Sequence, residues 1–195
     1  NRKEKIGLVG SIGSGKSTLV KLLVGLKINY TGKILINGRD VKSLNIDKMR
    51  NYITYIPQHP KLFNRTLFEN ITYGLEGVTE KQIYDILDSV GLDDVKDRFK
   101  KMMREKVGKN GSELSGGQRQ IVWLVRSLLK DNRMIILDEP TSSLDEDNKD
   151  KVVKLIDELS KKRNIILISH DKTVLENMDR VIRFDKGKIV SDTQI

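Results

Sequence analysis

The chain has 195 residues, 37% hydrophobic and 32% charged, a composition typical of a globular domain rather than a disordered tail. It contains no cysteine, which excludes disulfides and thiolate metal sites, and no apolar run approaches the roughly 18 residues of a membrane-spanning helix. The net charge of +9 would suit nucleic acid, anionic lipid or nucleotide, but the basic residues are scattered, and we interpret them as a solvated surface.

The N-terminal part of the chain predicts a strand, a glycine-rich loop and a helix in direct succession. The strand is the apolar run Ile6–Val9. The helix is indicated by leucines at helical spacing: Leu19, Leu22, Leu23 and Leu26. Two further strands are predicted over Lys33–Ile36, before an Asn-Gly turn, and over Tyr52–Ile56, before Pro57.

The middle of the chain, from Gln58 to about Gly111, predicts helices and no convincing strand. Thr79 and Gln82 form a capping box that opens one helix, and a basic helix follows from about Asp93 to Met103. We therefore expect a helical subdomain over residues 58–111, inserted into a core formed by residues 1–57 and 112–195.

The last third of the chain again alternates strands with helices. Ser115 and Gln118 form a second capping box, which opens a helix through Leu129. Apolar strands are predicted over Met134–Leu137 and Ile165–Ile168, separated by a helix with an apolar face, and a terminal hairpin is predicted over Arg180–Val190. This alternation predicts an α/β fold with a mostly parallel sheet covered on both faces.

The segment Gly10–Ser17 fits the phosphate-loop pattern G-x-x-x-x-G-K-[ST]. Glycines let the backbone amides surround phosphate oxygens, and the following helix points its N-terminus at the same anion. Lys16 adds positive charge for the β and γ phosphates, and the Ser17 hydroxyl can bind Mg²⁺. A chance match is the alternative, but the strand before the loop and the helix after it favour a nucleotide site.

Two carboxylates, Asp138 and Glu139, follow an apolar strand. Acidic residues often only close strands, so this feature is weak evidence alone. With the phosphate loop upstream, Asp138 suits a Mg²⁺ ligand, and Glu139 suits the group that activates water. We expect an adjacent parallel strand to bring the pair beside the loop.

The segment Leu114–Gln118 places two glycines in the first turn of a helix, where each weakens the helix by about 1 kcal/mol. Close backbone approach to a ligand would explain them, and an ordinary serine cap is the alternative. His170, after a strand, is by itself more typical of a packing residue, and Gln58 by itself is a loop amide.

Taken together in this order, the motifs resemble the nucleotide-binding domain of an ATP-binding cassette (ABC) protein, of the exporter type. The resemblance implies a P-loop NTPase core, an ATPase activity, and ATP with Mg²⁺ as the bound groups. It assigns ATP binding to the loop and the helix start: Gly10, Ser11, Gly13, Ser14, Gly15, Lys16, Ser17 and Thr18. It assigns Mg²⁺ to Ser17, Gln58 and Asp138, and catalysis to Glu139 as base with His170 and Gln58.

The resemblance also implies partners. Ser115, Gly116, Gly117 and Gln118 would bind the ATP of a second cassette in a head-to-tail dimer, and Asp145 would lie at the seam of that dimer. A transmembrane domain, expected in the same polypeptide, would hold the chain at the cytosolic face of a membrane. The start at Asn1 leads us to expect that two strands and an adenine-stacking aromatic residue precede it.

The function that the resemblance implies is ATP-driven transmembrane transport, and the alternative is an ABC ATPase that acts on nucleic acid or ribosomes. The spacing of 99 residues between Lys16 and Ser115 holds no sustained heptads, and only one cassette is present, so nucleic acid is not expected as a partner. The transported substrate, the membrane, the direction of transport and the identity of the partner cassette are not encoded in these motifs.

Overall fold

The computed structural model describes residues 3–26, 29–36, 38–45, 49 and 51–195. Its strands are β1 (Lys5–Val9), β2 (Leu35–Ile36), β3 (Arg39–Asp40), β4 (Ile53–Ile56), β5 (Met134–Asp138), β6 (Asn164–Ile168), β7 (Arg180–Asp185) and β8 (Lys188–Gln194). Its α-helices are α1 (Lys16–Leu23), α2 (Leu67–Ile71), α3 (Glu80–Ser89), α4 (Asp93–Met102), α5 (Gly116–Leu129), α6 (Glu146–Ser160) and α7 (Lys172–Leu175). Short 3₁₀ turns lie at Val41–Ser43 and Lys109–Gly111.

The chain divides into two compact units. The sheet unit comprises Asn1–Pro57, Asn132–Pro140 and Lys162–Ile195, and the helical unit comprises Gln58–Asp131 and Thr141–Lys161. The helical unit thus holds residues 58–111 together with α5 and α6. The narrower helical subdomain that we expected at 58–111 stays a prediction about domain organisation.

The main sheet of the sheet unit has six strands in the order β4-β5-β6-β1-β7-β8. Every pairing is parallel except the antiparallel hairpin β7-β8. The buried residues that α1 and the strands share form its core: Leu8, Val20, Ile53, Ile136, Ile168 and Phe184. The predicted α/β class with a mostly parallel sheet is therefore confirmed.

One topological expectation was wrong. We expected the strand that ends in Asp138 to be adjacent to the strand that leads into the phosphate loop. Instead β6 lies between β5 and β1, with Ile168 opposite Asp138 on one side and opposite Leu8 on the other. Because strand order depends on crossover connections and not on local pattern, the sequence did not reveal this insertion.

The helical unit forms around helices whose starts the sequence marked correctly. The Thr79–Gln82 and Ser115–Gln118 capping boxes are both present, at the N-termini of α3 and α5. The basic helix is α4, one residue shorter than predicted. The short helix α2 was missed, although Thr66 and Glu69 form a third capping box, because five residues are too few to show helical periodicity.

Two predictions in the N-terminal part need correction. Helix α1 ends at Leu23, and Leu26 is 61% exposed, because Gly25 takes φ 69° and the Leu26 N–H closes the helix on the Lys21 carbonyl. Of the predicted strand Lys33–Ile36, only the last two residues pair, and they pair with β3 in a separate two-stranded ladder.

Over the described ranges, no helix has both the length and the apolarity needed to cross a bilayer.

Candidate nucleotide site

The phosphate loop connects the end of β1 to the start of α1. Lys16, the first residue of α1, is 8% exposed, and its Nζ donates to the carbonyl oxygens of Gly10 at 2.5 Å and Ser11 at 3.0 Å. The loop therefore folds back over the Lys16 ammonium group. This arrangement holds a positive charge against the loop backbone, as phosphate binding requires.

The glycines of the loop are required by its shape. Gly10 has φ 148°, and a Cβ there would lie 2.2 Å from the Phe184 carbonyl oxygen. Gly15 precedes α1 with φ 109° and provides no side chain to cap the helix. The first backbone N–H groups of α1 are therefore left without a side-chain acceptor at the N-cap, and uncapped helix N-termini of this kind bind anions.

The β7-β8 hairpin supports the loop from the same unit. The Gly187 N–H donates to the Ser14 carbonyl at 2.8 Å. Since the carbonyl and the N–H of a trans peptide point in opposite directions, this bond aims the Gly15 N–H away from the hairpin. Sequence reasoning predicted the hairpin but missed this contact, for which the sequence carried no signal.

These features fit a nucleoside triphosphate with Mg²⁺. The loop combines close backbone approach with the Lys16 charge, and Ser17 and Thr18 are exposed in the first turn of α1. Hydroxyl and carboxylate oxygens are the ligands that Mg²⁺ prefers, and Ser17 and Asp138 supply one of each.

Asp138 is the last residue of β5, and the Tyr55 hydroxyl of neighbouring β4 donates to its Oδ2 at 2.9 Å. Burial, and then the charge of Asp138, raises the pKa of the Tyr55 phenol far above its ordinary value, so Tyr55 stays a hydrogen-bond donor at any physiological pH. The sequence placed Tyr55 only within the predicted strand Tyr52–Ile56, and nothing in that pattern indicated a bond to Asp138.

Glu139 follows Asp138 in a left-handed backbone conformation, with φ 48°. Its N–H donates to the Ile168 carbonyl at 2.9 Å, and this bond ties the turn to the end of β6. A left-handed conformation is uncommon for a residue other than glycine and clusters at functional sites.

Glu139 and His170 form a pair, with His170 Nε2 at 3.5 Å from Glu139 Oε1. Burial raises the pKa of Glu139 above its ordinary value, while His170 and Lys16 oppose that rise and Asp138 adds to it. Lys16, Asp138, Glu139 and His170 therefore share one electrostatic environment in the sheet unit. A carboxylate with a raised pKa beside an imidazole can accept a proton from water.

The remaining predicted residues belong to the helical unit. Ser115 caps α5: its Oγ accepts from the Gln118 N–H at 3.2 Å, and the Gln118 side chain accepts from the Ser115 N–H at 2.9 Å. Ser115 and Gly116 are exposed, whereas Gly117 and Gln118 are buried. Their assignment to a partner's ATP stays a prediction.

The last two predicted residues, Gln58 and Asp145, both belong to the surroundings of the α6 N-terminus. Gln58 is exposed, and its Nε2 donates to the Ser142 hydroxyl at 3.1 Å. Asp145 is the N-cap of α6 and accepts from the Asn148 N–H at 2.8 Å. Their roles at Mg²⁺ and at a dimer seam also stay predictions.

A phosphate loop at the end of a parallel strand, with a buried lysine and a carboxylate pair on the same sheet, defines a P-loop nucleotide-binding domain. The sequence profile described as ABC transporter matches residues 1–142. The chain belongs to the ABC transporter family, as its motifs predicted, and it is an ATPase domain of that family.

The chain is 37% identical over 187 residues to an ATP-dependent lipid A-core flippase of Saccharophagus degradans, covering 96% of this chain and 32% of that protein. It is 35% identical to a putative export ATP-binding/permease protein of Rickettsia bellii, covering 96% of this chain and 32% of that protein. A solved bacterial Atm1-family ABC exporter with ATP bound superposes with a TM-score of 0.87 at 28% identity, covering 98% of this chain and 33% of that one. The chain thus spans about a third of the length of these relatives, whose names favour the exporter type over the nucleic-acid alternative.

Proposed function

We propose that the chain binds and hydrolyses ATP to power transmembrane export, as the nucleotide-binding domain of an ABC exporter on the cytosolic face of a membrane. The observation that carries the proposal is the common electrostatic environment of Lys16, Asp138, Glu139 and His170 in the sheet unit. The names of relatives that are three times longer support the link to export.

In this proposal the loop and Lys16 hold the β and γ phosphates through backbone amides and one ammonium group. Ser17 and Asp138 are the side chains of the sheet unit that would hold Mg²⁺, which when bound neutralises charge on the phosphates; the role of Gln58 as a further ligand stays a prediction. Tyr55 holds Asp138 by the hydrogen bond described above.

Glu139 accepts a proton from the attacking water while the water oxygen forms a bond to the γ-phosphorus. The bond from that phosphorus to the bridging oxygen breaks, and ADP and phosphate leave. The raised pKa of Glu139 suits a base, because the driving force for proton transfer increases as the pKa approaches the working pH. His170, 3.5 Å from Glu139, orients the carboxylate and would contact the γ-phosphate of bound ATP.

The second partner in this proposal is another nucleotide-binding domain. Ser115 and Gly116 are exposed at the start of α5, where helix amides favour an anion. They would contact the ATP held by the partner, whose equivalent residues would contact the ATP held here. ATP would then join two head-to-tail cassettes, and hydrolysis would release them.

The third partner is a transmembrane domain, and an exposed cluster of the helical unit suits it. Phe63 and Tyr73 are 47% and 46% exposed, with ring centroids 4.5 Å apart, and the Arg65 guanidinium lies about 6 Å from both rings. Arg126 lies over Tyr73 and donates to the Asn70 carbonyl, which anchors the cluster to α5. Aromatic residues beside arginines are typical of protein interfaces.

The test compares three purified variants with the unmodified chain. Lys16→Ala should lose nucleotide affinity, whereas Lys21→Ala, on the same helix, should keep it. Glu139→Gln should bind ATP, lose turnover and dimerise in ATP, as seen by sedimentation. Full turnover in Glu139→Gln, or activity that stays linear down to dilute monomer, would overturn the proposed base or the shared site.

A further inference from the structure

The two glycines at the start of α5 differ in what surrounds them. A Cβ at Gly117 would lie 2.8 Å from Asn148 Cγ and 2.9 Å from both Asn148 Cβ and Oδ1, all closer than real Cβ contacts. A Cβ at Gly116 would have its nearest neighbours at 3.9 Å, in Arg119 and Leu144. Gly117 is therefore a glycine because Asn148 occupies the space of a side chain.

Backbone conformation does not explain Gly117. It lies inside α5 and does not have a positive φ, so any residue could adopt its backbone. It is also buried, whereas Gly116 is exposed. The sequence suggested that both glycines permit close approach of a ligand, but within the helical unit only Gly116 is open to one.

Asn148 has a second contact, to Asp145. Its Nδ2 donates to both carboxylate oxygens of Asp145, at 3.0 and 2.8 Å, and its backbone N–H donates to Oδ1 at 2.8 Å. These bonds, the backbone one first, hold the pKa of Asp145 below its ordinary value. The Asp145 carboxylate is thus ionised and held in a single orientation by one neighbouring residue.

We propose that Asn148 is a positioning residue that joins Asp145 and the turn Ser115–Gly117 into one preassembled surface for the partner cassette. The inference rests on the proposed head-to-tail dimer and adds a residue to it. Leu144 Cδ2 lies 3.9 Å from the place that a Cβ at Gly116 would take, so the same two turns also approach each other there. Asn148 packs against Gly117 and donates to Asp145, so one side chain links the two turns directly.

The test measures dimer affinity, because a change in folding stability alone would not separate a positioning role of Asn148 from a packing role. Asn148→Ala is made in the Glu139→Gln background, and sedimentation at saturating ATP and Mg²⁺ gives the dimer dissociation constant. We expect it to rise about tenfold, as the loss of hydrogen bonds to a charged group would produce. Asn177→Ala, which removes one exposed side-chain hydrogen bond to the Thr173 carbonyl of α7, is the matched control and should leave the constant unchanged.

The contact with Gly117 has its own test. Gly117→Ala should lower the melting temperature, because its new methyl meets Asn148. Asn148→Gly should restore part of that loss in the double variant, whereas Asn148→Ala, which keeps its Cβ, should restore less. No restoration would overturn the contact.

The outcomes separate the two proposals. If the Glu139→Gln parent does not dimerise in ATP, the proposed function fails. If the parent dimerises and Asn148→Ala matches Asn177→Ala, the inference fails. Should Asn148→Ala unfold, Asn148→Ser in the same background decides, because a hydroxyl cannot donate to both Asp145 oxygens as the amide does: a dimer weaker than that of Asn177→Ala supports positioning, and an equally tight one contradicts it.

Discussion

The hydrogen bond from Tyr55 to Asp138 gives the sharpest stability prediction. Tyr55→Phe removes one oxygen and leaves the ring in place, so Asp138 loses a donor at 2.9 Å without a cavity forming. Hydrogen bonds to charged groups contribute roughly 1.5–3 kcal/mol, and partial exposure places this one near the lower end, at about 1.5 kcal/mol. For a chain of this size that corresponds to a fall of about 3–6 °C in melting temperature.

The contribution also has a pH dependence with a defined sign. The pKa of the Tyr55 phenol is raised above 10.0, so the neutral form is favoured in the folded state. The stabilisation is therefore fully present below pH 10 and is lost as the pH rises through the folded pKa.

The assay is thermal and urea unfolding followed by far-UV circular dichroism at pH 7.5, with Tyr73→Phe as control. Tyr73 has the same side chain but is half exposed in the helical unit. A Tyr55→Phe protein as stable as Tyr73→Phe would refute the hydrogen-bond reasoning, and so would a difference that persists unchanged above pH 11.

Two further predictions concern catalysis and coupling. His170→Asn should move the acid limb of the single-turnover ATPase profile to higher pH, since the imidazole 3.5 Å from Glu139 lowers the pKa of that carboxyl, and its loss lets the already raised pKa rise further. His59→Asn serves as control, and an unmoved limb would show that the pair is not coupled. In an exporter polypeptide that carries this chain, as proposed above, Phe63→Ala should reduce substrate-stimulated ATPase several-fold. Ile189→Ala, which removes a comparably exposed apolar group from β8, should not. Equal effects would contradict a docking role for the aromatic cluster.

Features that depend on neighbouring residues were predictable from the sequence. The capping boxes at Thr79 and Ser115 formed where the spacing indicated, because each needs only residues three apart. The loop Gly10–Ser17 also formed as predicted, since its glycines and its following helix are contiguous. The end of α1 was misjudged at Leu26 because a glycine closed the helix before the leucine pattern ended.

What the sequence by itself determined is the chemistry available: a loop that can surround phosphate, a lysine within it, and carboxylates after a strand. Only the tertiary structure decided how these groups meet, because β6 inserts between β1 and β5 and brings His170 against Glu139. The packing of Asn148 against Gly117 brings together residues that are 31 positions apart in the sequence. Contacts of this kind arise from packing distant segments together, and no local pattern encodes them.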